Sequence, residues 1–77
     1  MTICFVLIVC QAGFVEKVVK GLEKIEGVQE SYAVTGGIDI ITKVEGTDVE
    51  TIAKIILAKI HSLEGVTRTE THIVVSL

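Results

Sequence analysis

Apolar and polar positions alternate along this chain with more than one period, and the changes of period mark its elements. Residues 3–10, Ile3-Cys4-Phe5-Val6-Leu7-Ile8-Val9-Cys10, form an unbroken apolar run rich in β-branched and aromatic side chains. That composition predicts a central strand covered on both faces. After Gln11-Ala12-Gly13, apolar residues recur at Val15, Val18, Val19, Leu22 and Ile25, the spacing of a helix over 14–26. Val28 opens a second strand, 28–35, and a third, 38–45, follows at once; Gly36-Gly37 between them reads as a tight hairpin turn. A second helical stripe, Val49, Ile52, Ala53, Ile56, Ile60 and Leu63, predicts a helix over 49–64 with Thr47 or Asp48 as its cap. The remaining residues form a last strand over 66–76.

The two helical stretches are copies of one unit. Ile25-Glu26-Gly27-Val28 returns thirty-eight residues later as Leu63-Glu64-Gly65-Val66. At that offset Phe14, Val15, Val18, Val19, Leu22 and Ile25 fall on Ile52, Ala53, Ile56, Leu57, Ile60 and Leu63. Gly27 and Gly65 supply the left-handed residue that ends each helix. Gly21, inside the first helix, costs roughly 1 kcal/mol relative to alanine and permits close packing, for which the sheet is the expected neighbour.

The order is therefore β-α-β-β-α-β. Right-handed crossovers and a hairpin between strands 2 and 3 give an α+β fold. It is a four-stranded antiparallel sheet of order 4-1-3-2 with both helices on one face, the ferredoxin-like arrangement. Strand 1 is apolar on both faces, yet helices cover only one. A second sheet from another copy of the chain is the natural cover, so a face-to-face homodimer is expected.

Length and charge narrow the function. Seventy-seven residues make one domain, 1–77, that is marginal in stability unless stapled or oligomeric. Cys4 and Cys10 stand about 20 Å apart along an extended strand, far beyond the roughly 7 Å a disulfide spans. They read as reduced core or interface residues of a cytoplasmic protein. Seven Lys and Arg among ten acids, net charge −3, provide no footprint for direct nucleic-acid binding. The run at 3–10 is too short to cross a membrane and lacks the flanks of a signal peptide.

Arg68, Glu70 and His72 share one face of the last strand. One His and one Glu without a second nitrogen or sulfur ligand make no zinc site, so a salt-bridged or interface face is expected. His61 sits where a helix end favours it and receives no further role. Tyr32 packs at a subunit interface or borders a ligand pocket; the sequence does not choose. No phosphate-binding loop, metal set or nucleophile–base pair is present, so neither an enzyme nor a cofactor is expected.

Val34-Thr35-Gly36-Gly37-Ile38-Asp39, together with Leu63-Glu64-Gly65-Val66 and Thr67-Arg68-Thr69-Glu70-Thr71-His72, resembles the effector-binding domain of the Lrp/AsnC transcription regulators, the RAM module. There a Gly-x-(Tyr/Phe)-Asp segment sits at the middle hairpin, and Gly-Val-x-x-Thr-x-Thr opens the last strand. The resemblance covers essentially the whole chain. Ile38 stands where the family often has an aromatic, and the family's N-terminal helix-turn-helix domain does not precede the first strand, so a stand-alone module is expected.

What the resemblance implies is an amino acid or related small metabolite bound between dimers of a homo-oligomer. Carried over by position, it implicates Gly36, Gly37 and Asp39 in the hairpin with Thr69 and Thr71 in the last strand. The chemistry is apt: glycine N–H groups and Thr hydroxyls donate to a carboxylate, and Asp39 accepts from an ammonium group. Binding would be linked to oligomeric state, and full-length Lrp/AsnC regulators are implied as further partners. The same residues without the resemblance read as a turn, its capping Asp and ordinary strand threonines. The rival functions are a small dimeric α/β-barrel enzyme, which three aromatics in the whole chain disfavour, and an oligomerisation module without ligand.

Overall fold

The chain runs β1 (Thr2–Cys10), α1 (Val15–Leu22), β2 (Val28–Ala33), β3 (Ile40–Gly46), α2 (Val49–Ile55) and β4 (Val66–Ile73). The computed structural model describes residues 1–77. The sheet order is β2-β3-β1-β4, which from the other edge is the predicted 4-1-3-2, and every pairing is antiparallel.

Register decides which face each residue serves, because directly opposed residues point the same way. Cys4, Val6 and Ile8 of β1 oppose Val44, Thr42 and Ile40 of β3, and all six are fully buried. Val18 and Leu22 of α1, with Ile52, Ile56 and Ile60 of the second helical segment, close over them. Thr42 is the buried polar member. Its hydroxyl donates to the Glu30 carbonyl at 2.8 Å and lies 2.6 Å from the Ser31 hydroxyl, so nothing polar is stranded. The alternate residues of β1, Ile3, Phe5, Leu7 and Val9, face away from the helices.

The duplication is visible atom by atom. Each helix tightens into i→i−3 bonds at its end: Ile25 N–H to Leu22 O and Leu63 N–H to Ile60 O, both 3.1 Å. Val28 N–H to Ile25 O and Val66 N–H to Leu63 O follow at 3.2 and 3.3 Å. Gly27 and Gly65 both hold φ +100°. Each Gly carbonyl is tied to the other copy, Gly27 O by Glu45 N–H at 2.8 Å and Gly65 O by Gln11 N–H at 2.7 Å.

Several boundaries differ from the periodicity, each for a physical reason. The first helix ends at Leu22 rather than near 26, because those i→i−3 bonds tighten its last residues into turns. The second helix is regular only to Ile55. Ile56–Ile60 form a π turn closed by His61 N–H to Ile56 O at 2.9 Å. The hairpin is not a two-residue turn: strand 2 stops at Ala33, strand 3 starts only at Ile40, and Val34 N–H to Asp39 O at 2.9 Å closes a wider loop. The last strand ends at Ile73. Gly21 admits Leu63, whose Cδ2 would lie 2.8 Å from an added Cβ, so its neighbour is the second copy's helix end and not the sheet. Val49, counted in the apolar stripe, is 55% exposed. Asp48, not Thr47, caps α2, its side chain accepting the Thr51 N–H at 2.8 Å. No helix is long and apolar enough to cross a membrane.

Candidate functional site

The two copies differ in how the helix lies on its strand, and the difference opens a groove. α1 packs along β2, whereas contact between α2 and β4 is slight. At the thirty-eight-residue offset α2 starts one turn earlier than α1, adding Val49 to Ile52, and the chain then widens into its π turn. Such turns recur at functional sites because they displace a helix face locally. The space left between α2 and β4 has a volume of ≈ 380 Å³.

Its walls are Ile52, Ala53, Ile56 and Leu57 from the helix and Ile73 from β4, with Val49 at the rim. Thr69 and Thr71 enter it because they oppose the inward-facing Ile8 and Val6 in the ladder. At one end the His61 Nε2 lies 2.7 Å from the Thr69 Oγ1. A smaller, more polar hollow adjoins there along the edge of β4, sharing His61 and Thr69 and adding Thr67 and Arg68, although Arg68 opposes Val9 and its side chain belongs to the helix-free face. Arg68 forms no ion pair within the protomer.

The β2–β3 hairpin lies across β1 from this groove. Asp39 anchors it: its N–H donates to Ile8 O at 2.9 Å, and its Oδ2 accepts the Cys10 N–H at 2.8 Å. The Cys10 thiol is pushed up from its ordinary pKa by burial first and by the Asp39 charge second. Burial also raises the Cys4 thiol, against a backbone hydrogen bond from Val44 that lowers it. Both cysteines are free. Beyond Asp39 the loop projects: at Gly36 and Gly37 no atom lies within 4 Å of where a side chain would begin.

A third surface is the helix-free face of the sheet. Phe5, 38% exposed, lies in an apolar strip with half-buried Ile3, Leu7, Val9 and Ile41. Tyr32 opposes Ile41 there and donates its hydroxyl to Glu30. Arg68, Glu70 and His72 flank the strip opposite Val9, Leu7 and Phe5, with His72 Nε2 to Glu70 Oε2 at 2.7 Å. No group of three or more His, Cys, Asp or Glu side chains is gathered as a metal site would need.

The profile of the Lrp/AsnC ligand binding domain matches residues 3–77. The chain belongs to this family. It is 36% identical over 56 residues to the uncharacterized HTH-type transcriptional regulator PF0250 of Pyrococcus furiosus, an alignment covering 73% of this chain and 37% of that protein. Among solved structures it superposes on TTHA0845 of Thermus thermophilus with a TM-score of 0.94 at 35% identity, covering 100% and 96% of the two chains. AsnC of E. coli follows with a TM-score of 0.91 at 27% identity, covering 99% of this chain and 52% of AsnC. The transcriptional regulator NMB0573 of Neisseria meningitidis, solved as a complex with L-Met, shares the fold with a TM-score of 0.86 at 19% identity, covering 97% and 50%. The chain thus spans about half the length of AsnC and about a third of the Pyrococcus regulator.

In this Lrp/AsnC domain the five positions carried over from the sequence fall into two groups. Thr69 and Thr71 meet in the α2–β4 groove; Gly36, Gly37 and Asp39 sit together in the hairpin, outside it. One protomer does not bring the two groups into a common pocket. His61 and the walls Ile52, Ala53 and Leu57 were not assigned to a site from the sequence. The available signal was a break in the repeat: Glu23 and Ser31 of the first copy correspond to His61 and Thr69 of the second.

Proposed function

We propose that this domain binds an amino acid or related small metabolite between subunits of a homo-oligomer and couples its concentration to the state of assembly. Gly36, Gly37 and Asp39 of one protomer and Thr69 and Thr71 of another complete the site. The Thr hydroxyls and glycine N–H groups take the carboxylate, and the Asp39 Oδ1, which has no partner within the protomer, takes the ammonium group. The observation that carries this reading is the separation itself. The hairpin glycines stand clear of their own chain while the threonines line an unfilled groove elsewhere, as halves of a shared site would. The L-Met complex of NMB0573 supports it as a precedent for an amino acid on this fold.

Assembly starts from the helix-free face, where the Phe5–Leu7 strip of one protomer covers that of another. A ligand held between such dimers stabilises the oligomer that forms its site, which is simple linkage. The role is regulatory binding in the cytoplasm rather than catalysis, and full-length Lrp/AsnC regulators are its natural partners through the same surfaces.

The test is light scattering together with thermal denaturation of the chain against each of the twenty amino acids. A cognate ligand at a hundred times its Kd stabilises by about 2.7 kcal/mol, or roughly 10–20 °C for a domain this small. It also raises the measured mass. A monomer whose mass and melting temperature no amino acid changes would sink the proposal.

A further inference from the structure

We infer that His61 is a positioning residue of this site: it sets the Thr69 hydroxyl as a donor to the ligand carboxylate, so that binding tightens when His61 is protonated. The inference rests on the amino-acid reading above and adds the group that regulates it.

The His61 Nε2 lies 2.7 Å from the Thr69 Oγ1, and the ring makes no other hydrogen bond. Nothing in the protomer therefore fixes which ring nitrogen carries the proton. A hydroxyl has one proton to give, so the state of the ring decides what Thr69 offers the groove. A bare Nε2 takes that proton and leaves only oxygen lone pairs facing a carboxylate. A protonated Nε2 donates to the Thr69 oxygen, and the hydroxyl proton is free for the ligand. The imidazolium has no bare nitrogen, so it holds this second arrangement and adds a positive charge at the groove mouth.

The surroundings leave the ring free to act in this way. His61 follows the π turn and closes it, N–H to Ile56 O at 2.9 Å, so it stands at a helix C-terminus, where a cation is favoured. It lines both the groove and the adjoining hollow, as Thr69 does. No charged side chain lines the groove, and the one at the hollow, Arg68, opposes Val9 and belongs to the helix-free face. Of the charges nearest in sequence, Lys59 borders a separate hollow and Glu64 pairs with Lys17. His61 itself forms no ion pair. Asp39 reaches the ligand from another protomer, at its ammonium end. The first copy shows that the scaffold does not require the contact. Glu23 and Ser31 hold the corresponding places there, and the Ser31 hydroxyl turns instead to the buried Thr42 at 2.6 Å.

Isothermal titration of the full chain with each of the twenty amino acids, at about pH 5.5 and about pH 7.5, brackets the ordinary titration of histidine. Any amino acid that binds is expected to bind about 10-fold more tightly at the lower pH, the scale of one strengthened charge-assisted hydrogen bond. His61→Gln keeps an N–H donor without a titrating ring. It is expected to stay within about 3-fold of the unaltered chain at the higher pH and to lose the dependence. Thr69→Val removes the hydroxyl and is expected to shrink the dependence below about 3-fold. A pH-independent affinity, a dependence that survives His61→Gln or persists in full in Thr69→Val, or loss of all binding in folded His61→Gln overturns the role of His61 and leaves the amino-acid reading standing. So does a dependence removed by His72→Gln, since His72 lies on the helix-free face and acts through assembly. Failure of the unaltered chain to bind any amino acid at either pH overturns that reading and this one with it.

Discussion

Alanine at Gly27, Gly36 and Gly65 separates backbone strain from crowding, because the three positions share one feature and differ in another. All hold positive φ, +100°, +118° and +100°. A side chain in the left-handed region costs about 1–2 kcal/mol wherever it occurs. At Gly36 nothing lies within 4 Å of the added Cβ, so that strain is the whole cost. At Gly27 the added carbon meets the Ile55 Cδ1 at 2.7 Å, the free end of a side chain that can turn aside, and the Glu45 carbonyl oxygen at a milder 3.2 Å. At Gly65 it meets the Phe14 Cβ at 2.5 Å and the ring beyond at 2.6 Å, and a Cβ moves only with its backbone. Overpacking of that kind adds about 1–3 kcal/mol.

The expected order of destabilisation is therefore Gly36→Ala, then Gly27→Ala, then Gly65→Ala. The first costs about 1–2 kcal/mol and the last about 2–5. In melting temperature the last corresponds to roughly 10–40 °C for a domain of this size. Urea denaturation measures all three, at one protein concentration because association shifts the midpoint. The diagnostic pair is Gly27 and Gly65, which have the same φ and differ only in neighbour. If Gly27→Ala costs as much as Gly65→Ala, crowding by Phe14 is not what requires glycine in the second Glu-Gly-Val.

Three further outcomes follow from burial, register and charge. Ile60→Ala, at a fully buried helix end, should cost about 2–5 kcal/mol, whereas Leu57→Ala three residues away, 66% exposed, should stay within about 0.5 kcal/mol; equal losses in urea would refute the assigned faces. Leu7→Glu puts a charge in the middle of the open sheet face without touching Cys4, Val6 or Ile8; light scattering should show loss of the dimer with far-UV circular dichroism unchanged, and an undiminished mass would exclude this face as the interface. Asp48 holds its carboxyl below the ordinary value of 3.8, chiefly through the Thr51 N–H. Its cap is therefore fully effective above that ordinary value and is lost as pH falls through the lower, folded one, so the melting temperature should drop over that interval. Asp48→Asn keeps a cap and should flatten the dependence; an unchanged acid profile would assign the loss to other carboxylates.

Topology was legible because it rests on short-range signals that agree with each other. An eight-residue apolar run, two stripes of helical period and two Gly-Val exits leave one arrangement of six elements, and the structure has it. The boundaries were less legible. Val49 matches the helical period yet is exposed, because the extra turn it begins overhangs the groove instead of the sheet. The π turn has no residue signature at all, since it is set by where Ile56 and Ile60 must reach the core. Gly36-Gly37 has the composition of a two-residue hairpin. Asp39, by binding the end of β1 through both its N–H and its carboxylate, draws the closing pair outward to Val34 and Asp39.

The grouping of the candidate residues was half legible for a related reason. Period and spacing report on one chain, and they place Thr69 and Thr71 on the helix-facing side of an edge strand once register is known. They carry no information about a surface completed by another copy, which is where the proposed function assigns the hairpin glycines. The duplication supplies what period could not. A unit repeated twice in one fold builds two equivalent strand–helix seams, and each can close by the same contacts. The first seam closes, with α1 on β2 and the Ser31 hydroxyl turned inward to Thr42. The second carries an added helical turn, a π turn, His61 in place of Glu23 and Thr71 in place of Ala33, and it stays open. Packing alone favours closing both seams, since an exposed Leu57 and a half-empty groove forgo apolar burial of about 25 cal/mol per Å². A seam held open against that gradient, lined with threonines and ending on a histidine, is where this fold departs from its own internal template.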